Sequence, residues 1–299
     1  MARVAVMIPC YNEHATIGKV VQDLKKVLPH ADIYVFDNNS SDNTIQIAQQ
    51  SGAVVFAVPN KGKGNVVRSM FDTISADIYL IVDGDDTYHA EDAKQLIEPI
   101  QQGKADMVVG NRLAHVNKDS LKRLNRFGNI LITNAVNYLF HTKHKDILSG
   151  YRAFNRKFIQ MIPVLTRGFE IELELTLQAL IENLVVIEIP ISYRNRPENS
   201  RSKLRPFYDG YKIMLSAAIL LRDCYPLRLY GMISVIFGFM AITSYAVMLC
   251  DPIPVVNNFL LIATIFFAIA SILSVAVSLL LSAINTRFRE MKQIIYRKG

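Results

Sequence analysis

The chain has 299 residues, 51% of them hydrophobic and 20% charged, a balance too apolar for a disordered protein and richer than a purely soluble enzyme needs. Its formal net charge of +7 admits nucleic acid, anionic lipid or a phosphorylated substrate as partners. No nucleic-acid-binding signature accompanies that charge, so phosphates and lipid head groups are expected and nucleic acid is not; Cys10, Cys224 and Cys250 lack metal or disulfide spacing and fit a reduced, cytosol-facing protein.

Val4–Pro9 reads as a buried strand, and Ala15–Leu28 as a helix with Ile17, Val20, Val21, Leu24 and Leu28 along one face. The opening run MARVAVMIPCYNE turns polar too early for a signal peptide. A second strand, Ile33–Phe36, ends at Asp37, and a helix over Asp42–Gln50 is expected to be capped by Ser41 or Asp42. Strand Val54–Val58, helix Asn65–Ile74, strand Ile78–Val82, helix Ala90–Gln102 and strand Met107–Val109 follow. This alternation predicts an α/β fold, a Rossmann-like and mostly parallel sheet with helices on both faces. Ligands of such sheets sit at the carboxyl ends of the strands. The polar motifs fall there: after Pro9, at Asp37, at Asp83–Asp86 and at Gly110–Arg112.

Farther along, Leu121–Phe140 is a helix that begins basic and ends apolar, suited to a core or to a membrane surface. Helices over Phe154–Met161 and Ile171–Ile181, a strand over Val185–Ile191 and a helix over Phe207–Leu221 are predicted next. Leu229–Leu249 and Pro252–Thr286 carry no charge, and each exceeds the roughly 20 apolar residues that cross a hydrocarbon core of about 30 Å. A turn near Asp251–Pro254 makes them a hairpin; a buried soluble hairpin is the plainer alternative. Arg222 and Arg228 precede the hairpin, and Arg287, Arg289, Lys292, Arg297 and Lys298 follow it, which predicts a multi-pass plasma-membrane protein with both termini and the catalytic part in the cytoplasm. The expected layout is a catalytic domain over 1–205, an amphipathic juxtamembrane helix over 206–226, the hairpin over 227–286 and a basic tail over 287–299.

Asp83-Gly84-Asp85-Asp86 places three carboxylates at a strand end, which is costly unless a cation lies among them. Oxygen-only ligands suit Mg²⁺ or Mn²⁺ bridging a nucleotide diphosphate, although a solvated acidic turn has the same composition. In Pro9-Cys10-Tyr11-Asn12-Glu13, Tyr11 could line a base and Glu13 could accept a ribose hydroxyl; an ordinary strand-to-helix turn is the alternative. Asp37 could accept from a base N–H or simply start a helix. Lys61-Gly62-Lys63-Gly64 offers N–H and ammonium groups ahead of a helix, as a phosphate site or a solvated turn, but lacks P-loop spacing. Arg112, Arg126, Arg152 and the stretch 194–205 with Lys203 are further phosphate candidates, Arg152 standing out because Gly150 allows close backbone approach.

Taken together, IPCYNE, the Asp37 strand end, NKGKG, VDGDDTY, GNR, DILSGYRAF, GFEIELEL and ENSRSKL resemble the family 2 glycosyltransferases of the GT-A fold. The likeness runs along the whole chain and is greatest to polyprenyl-phosphate and dolichyl-phosphate glycosyltransferases with a C-terminal membrane hairpin. The resemblance implies that Pro9, Tyr11, Glu13 and Asp37 hold base and ribose, with Lys63 and Lys203 toward the donor phosphates. It further implies that Asp83 and Asp85 hold nucleotide and metal, and that Arg112 and Arg126 contact the acceptor phosphate. Arg152 falls in the matching SGYR element, and Asp146 is a candidate for orienting the acceptor. Asp86 departs from the apolar residue of the dolichyl-phosphate-mannose branch, which shifts the expected donor from GDP-mannose to a UDP-linked glucose or N-acetylhexosamine.

The expected reaction is one inverting displacement onto polyprenyl phosphate, giving a lipid-linked sugar for cell-envelope glycan modification. The family also implies a homo-oligomer, dimer or tetramer. A processive polysaccharide synthase would resemble its relatives in a Gln-x-x-Arg-Trp motif, and this chain has no Trp. A GDP-mannose-dependent synthase and a non-catalytic, membrane-anchored nucleotide-sugar-binding protein are the remaining alternatives.

Overall fold

A computed structural model describes residues 2–114, 123–197, 210–212, 215, 218–219, 222, 226–250 and 254–298; side chains at 114, 123–128, 131, 135, 139, 254–255, 289–290 and 292–298 lie outside that description. The chain divides into two units, Met1–Ser216 and Ala217–Gly299.

The first unit is built on a seven-stranded sheet of β1 (Val4–Cys10), β2 (Asp32–Asp37), β3 (Val54–Ala57), β4 (Ile78–Ile81), β5 (Met107–Asn111), β6 (Arg152–Asn155) and β7 (Val186–Pro190), in the order β3-β2-β1-β4-β6-β5-β7. Every pairing is parallel except those of β6, which runs antiparallel between β4 and β5. The fold class is therefore the one predicted. The alternation of side chains along a strand feeds two cores. On β1, Val6, Ile8 and Cys10 join one cluster with Ile17, Val20, Val21 and Leu24 of helix α1 (Ile17–Val27), and with Leu96, Ile97 and Ile100 of α4 (Ala93–Gln101). Ala5 and Met7 join the other with Val66, Val67 and Met70 of α3 (Lys63–Thr73). Burial on both faces is why the inner strands read as continuous apolar runs.

Helix α2 (Thr44–Gln50) starts later than predicted, with Asn43 at its cap position; Asp42 still serves the first turn, its carboxylate accepting from the Thr44 N–H at 3.0 Å. Helix α5 spans Arg123–Phe140. The helix predicted over 154–161 is two elements: Arg152–Asn155 pairs with β4 and β5, and only α6 (Arg156–Met161) is helical, capped by the Asn155 side chain accepting from Phe158 N–H at 2.8 Å. Helix α7 (Ile171–Ile181) matches its prediction and buries nearly all its residues, Glu172 and Glu174 included.

The second unit is an antiparallel pair, α8 (Pro226–Cys250) and α9 (Pro254–Lys298). Ser271 Oγ donates to Ser234 O at 2.9 Å, Ser244 Oγ to Leu260 O at 3.1 Å, and Ser278 Oγ to Pro226 O at 3.3 Å. Small hydroxyls thus join the helices while Phe239, Ile262, Ile272 and Leu280 stay exposed. Pro226–Cys250 and Val256–Phe288 are long and apolar enough to cross a bilayer. The segment predicted as a juxtamembrane helix, 206–226, lies mostly outside the described residues.

Candidate active site

Beyond β1 the chain turns at Asn12, a non-glycine residue at φ 53°, and the turn is fastened to the loop after β2. Asn12 N–H donates to Ser40 Oγ at 2.8 Å, Asn12 Oδ1 accepts from Ser41 N–H at 2.8 Å, and Glu13 N–H donates to Thr44 Oγ1 at 2.9 Å. Glu13 is buried, Pro9 is half-buried opposite Phe36, and Tyr11 is exposed with Lys61 Nζ 5.7 Å from its ring centroid.

Asp37 ends β2 and is only 1% exposed. Its Oδ2 accepts from Ser40 N–H at 2.9 Å, while Oδ1 is buried with no hydrogen-bond partner among the described residues. An orphaned carboxylate oxygen carries the full cost of its lost hydration, so it marks a place for a ligand N–H. The neighbouring Asn38 fastens the site floor: its Nδ2 donates to Val58 O and Asn60 O, at 3.1 and 2.8 Å, and its Oδ1 accepts from Gly62 N–H at 2.7 Å.

Past β4, the Asp83–Asp86 turn is held against β1. Thr16 Oγ1 donates to Gly84 O at 2.6 Å, and a Cβ on Gly84 would stand 2.6 Å from Cys10 Sγ. The repulsion expected of three carboxylates is resolved by three sets of cations. Asp83 Oδ1 meets Lys63 Nζ at 2.6 Å; Asp85 Oδ2 pairs with Arg196; Asp86, at φ 57°, takes Lys19 at 2.8 Å and Arg194 at 3.5 Å. Asp85 Oδ1 also accepts from Thr87 Oγ1 at 2.6 Å. Lys63 Nζ lies equally close, 2.6 Å, to Glu172 Oε1. Burial acts to lower the Lys63 pKa, but the charges of Asp83 and Glu172 outweigh it and hold the ammonium well above the lysine range.

Asp83 and Asp85 offer oxygen donors alone, and among the described residues no group of three His, Cys, Asp or Glu forms a cage. Two carboxylates completed by substrate phosphates suit a hard divalent ion such as Mg²⁺ or Mn²⁺. Asp86 belongs to the turn's fastening instead, through Lys19 of α1 and Arg194.

Arg112 follows β5 and is gripped by Asp146: Nε to Oδ2 at 2.8 Å, Nη2 to Oδ1 at 2.9 Å, and its own N–H to Oδ2 at 3.1 Å. Asn129 of α5 adds a donor to Oδ1 at 2.9 Å. Asp146 is fully buried with both oxygens engaged, so its side chain orients Arg112 and has no oxygen left for an acceptor. Glu188 of β7 supports the arrangement, accepting from Lys145 N–H at 2.9 Å and Asp146 N–H at 3.1 Å. The Arg112 guanidinium also lies 5.6 Å from the Tyr193 ring centroid.

Two readings are corrected. Arg152 is 1% exposed and donates to Ser149 O, Ile147 O and Thr176 Oγ1 at 2.8, 2.6 and 2.9 Å. Burial lowers its pKa to about 10. It satisfies the buried carbonyls of the 147–149 loop from an enclosed position. In the Lys61–Gly64 loop, Gly62 N–H is spent on Asn38 and Gly64 N–H on Arg167 O at 3.1 Å, so neither is open to a phosphate. Its glycines answer to contact: a Cβ on Gly64 would stand 2.2 Å from Thr166 O, and one on Gly62, at φ 123°, 2.1 Å from Arg167 O. Gly150 does allow the close approach expected of it, a Cβ there falling 2.6 Å from Asp83 Oδ2. The side chain of Arg126, on α5, and all of Lys203 lie outside the described residues.

Glu172, Glu188 and Asn38 are site residues that sequence reasoning missed, and Arg196 entered it only as part of the basic stretch 194–205. Glu172 had one signal, shared with Glu174: an ionisable residue in the mostly apolar helix IELELTLQALI.

The model of the family described as Glycosyl transferase family 2 matches residues 5–162. Glycosyltransferase AglJ of Haloferax volcanii is 35% identical over 229 residues, 76% of this chain and 75% of its own. A dolichyl-phosphate hexose transferase of the same organism is 30% identical over 209 residues, 70% of this chain and 90% of its own. Glucosyl-3-phosphoglycerate synthase of Mycobacterium tuberculosis, solved with Mn²⁺, UDP-glucose and phosphoglyceric acid, shares the fold at TM-score 0.59 and 23% identity, over 75% of this chain and 80% of that one.

Proposed function

The chain belongs to glycosyl transferase family 2, and from that premise we propose that it moves a sugar from a UDP-sugar, UDP-glucose or a UDP-N-acetylhexosamine, to polyprenyl phosphate with inversion at the anomeric carbon. The observation that carries the reading is the orphaned, buried Oδ1 of Asp37, on the same sheet edge as the Asp83–Asp85 turn and Arg112. The strand order puts β2 and β4 on either side of β1, and β4 and β5 on either side of β6. Strands lie about 4.8 Å apart, so each pair of sites is roughly 10 Å apart, the reach from a pyrimidine edge to its diphosphate and from there to an acceptor.

The base preference follows from hydrogen-bond counting. Asp37 Oδ2 already accepts from Ser40, so Oδ1 is the oxygen left wholly without a partner. Uracil presents one N–H, at N3; guanine presents a pair that calls on both oxygens. By the family resemblance, Tyr11, Glu13 and Pro9 are assigned to base and ribose, and Lys203 to the donor phosphates. A divalent cation held by Asp83 and Asp85 would supply neutralisation of the diphosphate. The fold itself accommodates both components, since the Mycobacterium tuberculosis synthase was solved with Mn²⁺ and UDP-glucose.

The acceptor is a phosphate monoester with a second pKa of about 6, so it is largely dianionic at neutral pH and needs no base. Arg112, fixed by Asp146, and Arg126 draw that dianion to the anomeric carbon. The new bond forms between a phosphate oxygen and that carbon as the bond to the diphosphate oxygen breaks, releasing UDP. The hairpin of α8 and α9 anchors the enzyme in the plasma membrane with both termini cytoplasmic, and the enzyme works as a homo-oligomer. Relatives named for dolichyl-phosphate transfer support the lipid acceptor.

The test is a donor panel (UDP-glucose, UDP-N-acetylglucosamine, UDP-N-acetylgalactosamine, GDP-mannose) offered to the full chain in membranes with polyprenyl phosphate. Mass analysis of the extracted lipid should show a hexosyl or N-acetylhexosaminyl phosphate lipid from a UDP donor. A product from GDP-mannose alone would overturn the donor, and no lipid product at all would overturn the reaction.

A further inference from the structure

The cation beside Asp85 in this structure is a side chain. Arg196 pairs with Asp85 Oδ2, while Oδ1 accepts from Thr87. The corresponding pair at Asp83 is of a different kind. Lys63 has a side chain 14% exposed and is held from both sides, by Asp83 and Glu172. Arg196 has a side chain 28% exposed and sits on the strap that follows β7. The strap is fastened upstream of it: Tyr193 bridges to Tyr88, Arg194 N–H donates to Thr87 O at 3.0 Å, and Arg194 Nη1 lies 3.5 Å from Asp86. These fastenings at Tyr193 and Arg194 are separate from the pair that Arg196 makes with Asp85.

We propose that Arg196 is a surrogate cation, occupying the Asp85 carboxylate until a divalent ion arrives with the donor and then transferring to the donor's diphosphate. The proposal rests on the reading that Asp85 holds such an ion. A guanidinium suits both partners, because its planar fork pairs with carboxylate and phosphate alike. Exchange couples the two ligands. A divalent ion arriving alone must displace a paired charge; one arriving with a diphosphate gives that charge a destination. A site whose open form is a minor fraction binds more weakly by that fraction, so the free enzyme holds the ion poorly and the diphosphate-bound enzyme holds it well.

The experiment titrates the full, detergent-purified chain with Mn²⁺, reading the electron paramagnetic resonance of the free ion, with and without UDP. Without UDP, Arg196→Gln should bind Mn²⁺ about tenfold more tightly than wild type. Arg196→Lys, which keeps a charge, should stay within about threefold of wild type. With UDP, the advantage of Arg196→Gln should close or reverse, since the variant has no guanidinium to offer the diphosphate. Arg196→Gln binding no tighter than wild type in the absence of UDP overturns the proposal, as does a lysine variant as tight as the glutamine one. Asp85→Asn tests the premise separately: if it binds Mn²⁺ with UDP as wild type does, Asp85 holds no ion and the underlying reading fails on its own.

Discussion

Asp146 and Arg112 meet through two parallel hydrogen bonds, 2.8 Å from Nε to Oδ2 and 2.9 Å from Nη2 to Oδ1, in a place where the carboxylate is wholly buried. Removing one partner of a buried pair leaves the other charge uncompensated, at a cost of about 3–5 kcal/mol. Asp146→Asn should therefore melt well below wild type at pH 7 and lose most transfer activity. Burial works to raise the Asp146 pKa, but the Arg112 charge and the hydrogen bonds from Arg112 and Asn129 win, leaving it below the usual carboxylate value. A group depressed in the folded state contributes stability above its unfolded pKa, about 3.9 for Asp, and loses it as pH falls through the folded value. The gap in melting temperature between wild type and variant should thus be widest near neutrality and narrow below about pH 4.

Asp37→Asn removes the charge while preserving size. The amide oxygen can keep the Ser40 N–H, which turns an NH₂ toward the position where a base N–H is expected, donor against donor. UDP affinity should fall about 10- to 100-fold, the worth of a hydrogen bond to a charged group. The unliganded variant should melt at or above the wild-type temperature, because an orphaned buried charge has gone. Calorimetric titration with UDP and a melting curve measure the two effects; a loss of stability with UDP binding intact would contradict the assignment.

Chelation should stop transfer by wild-type membranes, and Mg²⁺ or Mn²⁺ should restore it. In Asp83→Ala and Asp85→Ala, added metal should restore nothing. Asp86→Asn should behave differently, because Asp86 engages Lys19 and Arg194. It should lower stability modestly and leave the metal concentration for half-maximal rate near the wild-type value.

Gly64→Ala tests the contact between the first turn of α3 and the 166–168 backbone. The added methyl would stand 2.2 Å from Thr166 O, so backbone must move, at about 1–3 kcal/mol. Gly62→Ala adds left-handed strain at φ 123° to a similar clash and should be worse. Gly103→Ala is the control, at φ 67° with nothing within 4 Å, and should be the mildest of the three in thermal unfolding.

Strands β1, β2, β4 and β5 were legible because burial on both faces leaves runs such as VAVMI and IYLIV with no polar interruption. β6 was not: it is four residues long, begins with an arginine and owes its conformation to partners about 45 and 75 positions away in the chain. The same division holds at the site. Asp37, Asp83, Asp85 and Arg112 could be placed at the sheet's edge because each directly follows or ends a readable strand. Their partners Glu172, Asp146 and Arg196 come from distant segments whose approach no local pattern announces. Arg152 was misread for a related reason. An arginine beside a glycine looks available to a phosphate, and only the tertiary structure shows the two loop carbonyls that claim it.

The antiparallel β6 also governs the order in which this protein can be completed. β4 and β5 are consecutive strands in the chain, yet they never pair; each pairs with β6, which begins at Arg152, 71 positions beyond the end of β4 at Ile81. A nascent chain that has emerged only as far as β5 therefore holds an unfinished edge at β4 and a fifth strand with no neighbour. Contacts of such sequence separation slow folding and expose strand edges meanwhile. Any fragment ending before Asn155 should be unable to close its sheet, however many of the ligand-facing residues it already contains.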